Sequence, residues 1–494
     1  MAGLLDEKEL RNILKYVENT KATFRWNGYA QNWFEYLKGS VYEPTTTENT
    51  DAQIANYVQT LIDRSVSYFV GRGVDFVFSD SEIAAEYQDL FMDNWERNGG
   101  SRLFHDMAVS GAVTGDVYVK VTWVPYGETS WEKRVENKSG YVSYTLLDSE
   151  QVFPIFKAGS IEPVAYIVEY SVGESYEYEI HKKGYVIRID KKGNVLREWE
   201  TGVDSFLIIH IPNLSIPKQF YGLSEVTRLI ELNRTLNDAQ LDLADIVNYH
   251  ASPLLVIYGA KGKQIHRSPD RVWSGLPKDA KVEAIGTLGD IKGASDHVVD
   301  LKQALAEISG IPKIAWGEVP PISNTSGAAL NVLYMPVEAL RYRKIGTYSL
   351  GLRQLVRLTF QILALKGEIS PKPYKLEISF NPIIKRQRSE IIDEIRERRK
   401  QMLISTKRAL EMLGEDTEEY NNIINEISVL TAKYPELISV LFPNLPKAEK
   451  AVIDSMILKH GDVVTEEAAD ADLSETTSSA KSGDRKVLPE YTGD

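Results

Sequence analysis

The sequence predicts an α+β fold arranged around one very long, kinked α-helix. Three observations carry that expectation. Between residues 117 and 212, short segments alternate apolar and polar residues and end at turn residues, the pattern of antiparallel strands. On either side, apolar residues recur at helical spacing over 52–70, about 81–97 and 100–114, 223–250 and 385–460. Residues 327–366 continue such a pattern for roughly 60 Å of helix, with Pro336 placed to kink it and Gly346 and Gly351 to weaken it.

The elements follow in order. Residues 1–39 mix charge with Phe24, Trp26, Tyr29, Trp33, Phe34 and Tyr36, so this arm packs either on its own domain or on a partner. Residues 40–51 are rich in Thr and Asn and read as a linker. Ile54, Val58, Leu61, Ile62, Val66 and Phe69 define an amphipathic helix over 52–70, stopped by Gly71-Arg72-Gly73. Val74, Phe76 and Phe78 alternate as a strand, and helices follow at about 81–97 and 100–114. Val117, Val119, Val121 and Trp123 open the β-rich stretch, which continues near 142–147, 162–170, 176–182, 185–191, 195–200 and 205–212.

Residues 223–250 predict a helix roughly 40 Å long. A mixed insert with a strand at Leu254–Tyr258 occupies 251–295, and a shorter helix fills 296–309 before Gly310 and Pro312. Residues 311–326 are a Pro-rich loop, 374–380 alternate as one strand, and the chain from about 462 is acidic and poor in large apolar residues, the composition of a disordered tail. No internal repeat is evident.

Composition narrows the function. With 43% hydrophobic residues among 494, the chain can bury cores over about three domains. Asp and Glu number 70 against 57 Lys and Arg, a net charge of −13, which argues against a surface that grips nucleic acid throughout. There are no cysteines, so disulfides, thiol nucleophiles and zinc ribbons are absent. The acidic N-terminus does not read as a secretory signal, and no apolar run approaches a bilayer span, so a protein outside the membrane is expected. No P-loop, HExxH, GxSxG, EF-hand or Rossmann pattern occurs, and the seven His are scattered singly. No catalytic residue, metal site or cofactor is expected.

Three charge patterns remain. Asp238, Asp242 and Asp245 stand at i, i+4 and i+7, on one face of the helix 223–250. That face is an ordinary solvated one, a metal site of three carboxylates with no partner motif to support it, or a stripe lining something polyanionic, which it would repel and so let pass. In the insert, Lys261, Lys263, Arg267 and Arg271 surround Trp273, either as surface charge or as a docking knob for an acidic partner. Residues 385–400 interleave Arg and Lys with Glu and Asp at helical spacing, a salt-bridged helix.

Four stretches together resemble a known family. They are Asn-Tyr-Val-Gln-Thr-Leu-Ile-Asp-Arg-Ser-Val-Ser-Tyr-Phe-Val-Gly-Arg-Gly-Val-Asp-Phe at 56–76 and Gly-Ala-Val-Thr-Gly-Asp-Val-Tyr-Val-Lys-Val at 111–121. The others are Asn-Thr-Ser-Gly-Ala-Ala-Leu-Asn-Val-Leu at 324–333, and 378–426 with its Ile-Ser-Phe-Asn-Pro start. Over about 52–430 the chain is similar to the portal proteins of tailed bacteriophages, most closely the SPP1-type portals.

The resemblance implies a portal fold with wing, stem, clip and crown, assembling as a ring of twelve copies. Residues 1–51 are then an N-terminal arm, 52–222 the wing, 223–250 and 296–310 the stem helices, and 251–295 the clip. Residues 311–326 are the tunnel loop, with Gly317, Pro320, Pro321, Ile322, Asn324 and Thr325 toward DNA. Residues 327–384 supply the long wing helix and returning strand, 385–461 the helical crown, and 462–494 the acidic tail. The partners implied are double-stranded DNA passing without sequence preference, the terminase large subunit, a head-completion or adaptor protein, and the major capsid and scaffolding proteins. The place implied is a capsid vertex, after assembly in the host bacterial cytoplasm. The alternatives are another virion structural protein such as an adaptor, or a soluble enzyme with an unrecognised site.

Overall fold

The computed structural model describes residues 7–39, 55–71, 73–79, 84–135, 138–251, 254–258, 281–285, 291–316, 327–381, 388–401, 403–414 and 422. It divides into two units, residues 1–383 and 384–494.

The first unit begins with two helices, α1 (Glu7–Lys21) and α2 (Phe24–Lys38). They are followed by α3 (Tyr57–Val70), β1 (Val74–Ser79), α4 (Ala84–Arg97) and α5 (Ser101–Thr114). The aromatic arm thus packs on its own chain. Leu10, Val17, Trp26 and Tyr29 bury against Phe153, Ile167, Ile180 and Ile187 of the sheets that follow. Trp26 stacks on Phe153 at 5.2 Å and donates its indole N–H to the Glu150 carbonyl.

Among the described residues, all the strand pairing is antiparallel. β2 (Asp116–Pro125) is central in a three-stranded sheet between β3 (Gly140–Leu147) and β9 (Ile208–Pro212), with the short helix α6 (Trp131–Arg134) between β2 and β3 in sequence. A five-stranded meander runs β4 (Val152–Phe156), β5 (Pro163–Val172), β6 (Ser175–Lys182), β7 (Tyr185–Asp190) and β8 (Val195–Glu200). β4 was not expected from the sequence. Its Pro154 reads as a strand breaker, yet β4 is an edge strand, where a missing N–H costs no ladder bond.

Next come α7 (Ile230–Ala251), the hairpin of β10 (Leu254–Tyr258) with β11 (Lys281–Ile285), and α8 (Ile291–Ser309). The unit closes with α9 (Gly327–Leu365), a single helix of 39 residues with Pro336 inside it, and β12 (Lys375–Phe380). β12 pairs with β1, Val74 facing Phe380. The main core lies between α3, α4, α5, the three-stranded sheet and the second half of α9. Phe69, Phe91, Phe104, Tyr348, Leu352, Val356 and Phe360 are all buried there.

Gly351, expected to weaken α9, has a packing reason. A Cβ there would stand 2.3 Å from Cδ1 of Ile211, so its absence lets α9 lie directly on β9. In the second unit, α10 (Arg388–Lys400) carries Arg396–Asp393 and Arg398–Glu394 pairs, the salt-bridged pattern expected of this segment. It is followed by α11 (Thr406–Leu413).

Two helix starts differ from the sequence reading. The helix expected from 223 begins at Ile230. The preceding residues are held by the fold instead: the Glu225 N–H donates to the Ala112 carbonyl, and the Ser224 hydroxyl donates to the Val113 carbonyl. Val226 and Leu229 have helical spacing because they are core residues of a buried turn. The helix expected from 296 begins at Ile291, since Gly293 near its start does not halt it. The tail 462–494 lies outside the described residues.

Candidate functional site

α7 and α8 form a helical hairpin, roughly 33 and 28 Å long, tipped by the β10–β11 ribbon. Leu236, Val298 and Leu305 are buried, and Leu232, Ala239, Leu243 and Leu301 pack partly buried on the same core. That consumes one face of each helix. Asp238, Asp242 and Asp245 are all exposed and share the turn spacing that stacks them along α7. On α8, Asp296 and Asp300 are exposed at i and i+4, with Glu307 further along. The sequence reading missed this second acidic stripe, although its spacing was visible in the same way.

Both roots of the hairpin are fixed to α3. The Asn237 and Asn233 side-chain carbonyls accept from the Ala55 and Tyr57 N–H groups at 3.2 and 3.3 Å. Beyond α8, Arg64 donates to the Ala315 carbonyl, and Trp316 stacks on Tyr57 at 6.0 Å. α2 adds a second anchor: Glu35 pairs with Arg234 at 2.6 Å, and the Asn32 amide donates to Ser224 and Thr227 at 3.1 and 3.0 Å.

Just ahead of α7 lie two charge clusters, each built on a fully buried carboxylate. Glu225 meets Lys344 of α9 at 2.6 Å, with side chains 5% and 1% exposed. Ser65 donates to Glu225 at 2.6 Å and accepts from Lys344 at 3.0 Å, while the Asn213 amide donates to the other carboxylate oxygen at 2.8 Å. Burial alone would raise the Glu225 carboxyl, but Lys344 and these donors hold it below the usual range. Asp116 accepts from the Gly222 N–H, Tyr29, Arg25 and His210 at 2.9, 3.0, 3.1 and 2.8 Å. One carboxylate therefore ties the arm, β2, β9 and the approach to α7 together.

The arrangement is an acidic helical hairpin whose base is hydrogen-bonded to α2 and α3. Among the described residues, no group of three His, Asp or Glu is placed to hold a metal ion, and no helix is long and apolar enough to cross a membrane.

A family model described as phage portal protein, SPP1 Gp6-like, matches residues 9–428. The chain belongs to that family. It is a phage portal protein, a head–tail connector and a structural part of the virion. No curated protein matches the sequence. Solved structures to which the chain is similar include a chain in the neck of an empty gene transfer agent particle, at 15% identity and a TM-score of 0.45, covering 72% of this portal chain and 90% of that one. A chain of the native gene transfer agent virion has 14% identity and a TM-score of 0.41, covering 73% and 88%. One in the neck of the native particle, treated with twelve-fold symmetry, has 14% identity and a TM-score of 0.43, covering 73% and 90%.

Of the portal positions singled out from sequence, only the three aspartates of α7 fall within the described residues. Lys261, Lys263, Arg267, Arg271 and Trp273 lie outside them, as do Gly317, Pro320, Pro321, Ile322, Asn324 and Thr325. Asp116, Glu225 and Lys344, which mount the hairpin, were not anticipated.

Proposed function

We propose that this portal protein assembles into a ring of about twelve copies at one capsid vertex and conducts double-stranded DNA inward during packaging and outward during ejection. The observation that carries the reading is the family match over 9–428. In this reading α7 and α8 are the stem, 251–295 the clip, 311–326 the tunnel loop and 385–461 the crown. Asp238, Asp242 and Asp245 line the channel, joined by Asp296 and Asp300. Like charge keeps phosphates from settling on the wall, so the duplex slides. Gly317, Pro320, Pro321, Ile322, Asn324 and Thr325 form a loop with little charge that touches DNA without trapping it. The basic residues of the clip, Lys261, Lys263, Arg267 and Arg271 with Trp273, meet the terminase large subunit and later a head-completion protein. Major capsid and scaffolding proteins surround the ring. The chain itself hydrolyses nothing and needs no cofactor; the terminase supplies the ATP chemistry.

Native mass spectrometry with negative-stain imaging tests the ring. A particle near twelve subunits with a central hole is expected, and a chain that stays monomeric even with its scaffold overturns the assembly. The Asp238→Lys, Asp242→Lys double variant tests the channel face. Rings should form while DNA packaging falls sharply, and normal packaging by such rings sinks that assignment.

A further inference from the structure

Two histidines in the sheets each set one ring nitrogen against a carboxylate. His181 Nε2 lies 3.2 Å from Glu179. Burial would raise the Glu179 carboxyl, but His181 and Lys120 hold it down to about 2. Nδ1 of His181 is sealed without a partner, so nothing reaches it. His210 differs. Its Nε2 lies 2.8 Å from Asp116, and its ring is sandwiched between Tyr118 and Phe220, with ring centres 4.8 and 4.0 Å away. Asp116 also accepts from Arg25, Tyr29 and the Gly222 N–H, so Nε2 carries the proton between them. In the neutral ring Nδ1 is then an acceptor. It has no hydrogen-bond partner among the described residues, yet it is not sealed as Nδ1 of His181 is. The His210 side chain is only 6% exposed, so its opening is the cavity that it lines.

That cavity has a volume of about 490 Å³. Tyr166, Phe206, Phe220, Ile208 and Leu358 make its apolar lining. Of its charged groups, Lys183 and Arg357 are matched in number by Glu162 and Asp204, so the lining as a whole favours neither an anion nor a cation. The group that suits such a site is neutral, flat and apolar and carries one hydrogen-bond donor. Among side chains that describes Trp and Tyr.

The chain presents one. Trp131 of α6 is 69% exposed, the one exposed Trp among the described residues, and its indole N–H has no partner there. Tyr342 is exposed too, but it stands midway along α9, where its neighbours on the helix would meet a rim first. Strand register keeps Trp131 away from the cavity of its own copy. His210 pairs with Tyr118, whereas the connection bearing α6 leaves β2 at Pro125, seven residues or roughly 23 Å further on.

We propose that the cavity at His210 receives the Trp131 indole of a neighbouring copy, its N–H donating to Nδ1. Knob and cavity lie on different parts of the chain, so the contact is head-to-tail, the kind that closes a ring. A buried Trp at the centre of such a contact carries a large share of the binding energy. The inference rests on the ring reading and adds to it the pair of surfaces by which copies meet.

Cross-linking of the full chain tests it. There is no native cysteine, so introduced thiols report without background. Arg134→Cys lies one turn from Trp131 and Gln354→Cys lines the cavity, and both positions are exposed. A short bismaleimide should link a mixture of the two single variants into dimers and the double variant into a ladder, and neither single variant alone should link. In native mass spectrometry, Trp131→Ala should raise the concentration needed for rings at least tenfold. Trp131→Phe, which removes only the donor, should raise it less. Circular dichroism unchanged from the wild type confirms that each variant folds. Wild-type rings whose two thiol positions do not link, links within a single variant, or Trp131→Ala rings at the wild-type concentration overturn the inference and leave the ring reading standing. Rings lost on Tyr342→Ala but kept on Trp131→Ala also overturn it. A wild-type chain that forms no ring even with its scaffold overturns the ring reading, and this inference with it.

Discussion

Lys344 and Glu225 face each other with almost no access to water, which makes each hostage to the other. Lys344→Met alone strands a buried carboxylate and should cost about 3–5 kcal/mol. Adding Glu225→Gln should return much of that loss, because the desolvation problem leaves with the charges; urea denaturation midpoints of the single and double variants measure this. Glu225 and Glu179 both have carboxyls held below the ordinary 4.5, Glu179 at about 2. Their stabilisation is complete above the unfolded value and drains away as the pH falls through the folded one. Thermal melts should therefore drop from about pH 5 toward pH 2, and Glu179→Gln should flatten part of that slope. None of this was legible in the sequence. Lys344 follows Arg341 and Arg343 and reads as solvent-facing charge, while Ser65 lies 279 residues away. The α7 aspartates were legible because helical spacing and polarity suffice to expose them.

Elements were easiest to read where one local pattern settles them, and hardest where a distant surface decides. Strands β5 to β8 fall on the short, turn-bounded segments that the sequence marks. β11 escaped notice because it lies in a stretch rich in Gly and Pro whose partner β10 is more than twenty residues earlier. The start of α7 was misjudged because Val226 and Leu229 are apolar for the core's sake. The same competition makes a contrast within α9. Gly346 has open space around it, so Gly346→Ala should raise the melting temperature, worth up to about 1 kcal/mol in helix propensity. Gly351→Ala gains the same propensity but drives its Cβ into Ile211, and should lose a net 1–3 kcal/mol. Pairing it with Ile211→Ala should relieve the overlap, and differential scanning calorimetry on the set distinguishes crowding from propensity.

At the scale of the whole chain, the α+β class and the order of helices and strands could be read from periodicity, because each long segment is strongly patterned. Which strands meet could not. The pairing of β1 with β12 brings together residues as far apart as Asp75 and Asn381, whose side chains bond across 306 positions. That contact has a consequence for synthesis. At about 5–20 residues per second, a ribosome needs on the order of tens of seconds to deliver β12 after β1 has emerged. Throughout that wait β1 has no strand beside it, and the main core lacks the α9 residues that complete it. Ribosome-bound chains halted before residue 375 should be digested readily by protease, and those extended well past 380 should resist. Each new copy is thus sealed by one of the later stretches of its first unit to be made, so a half-made copy exposes core surface that a finished one covers.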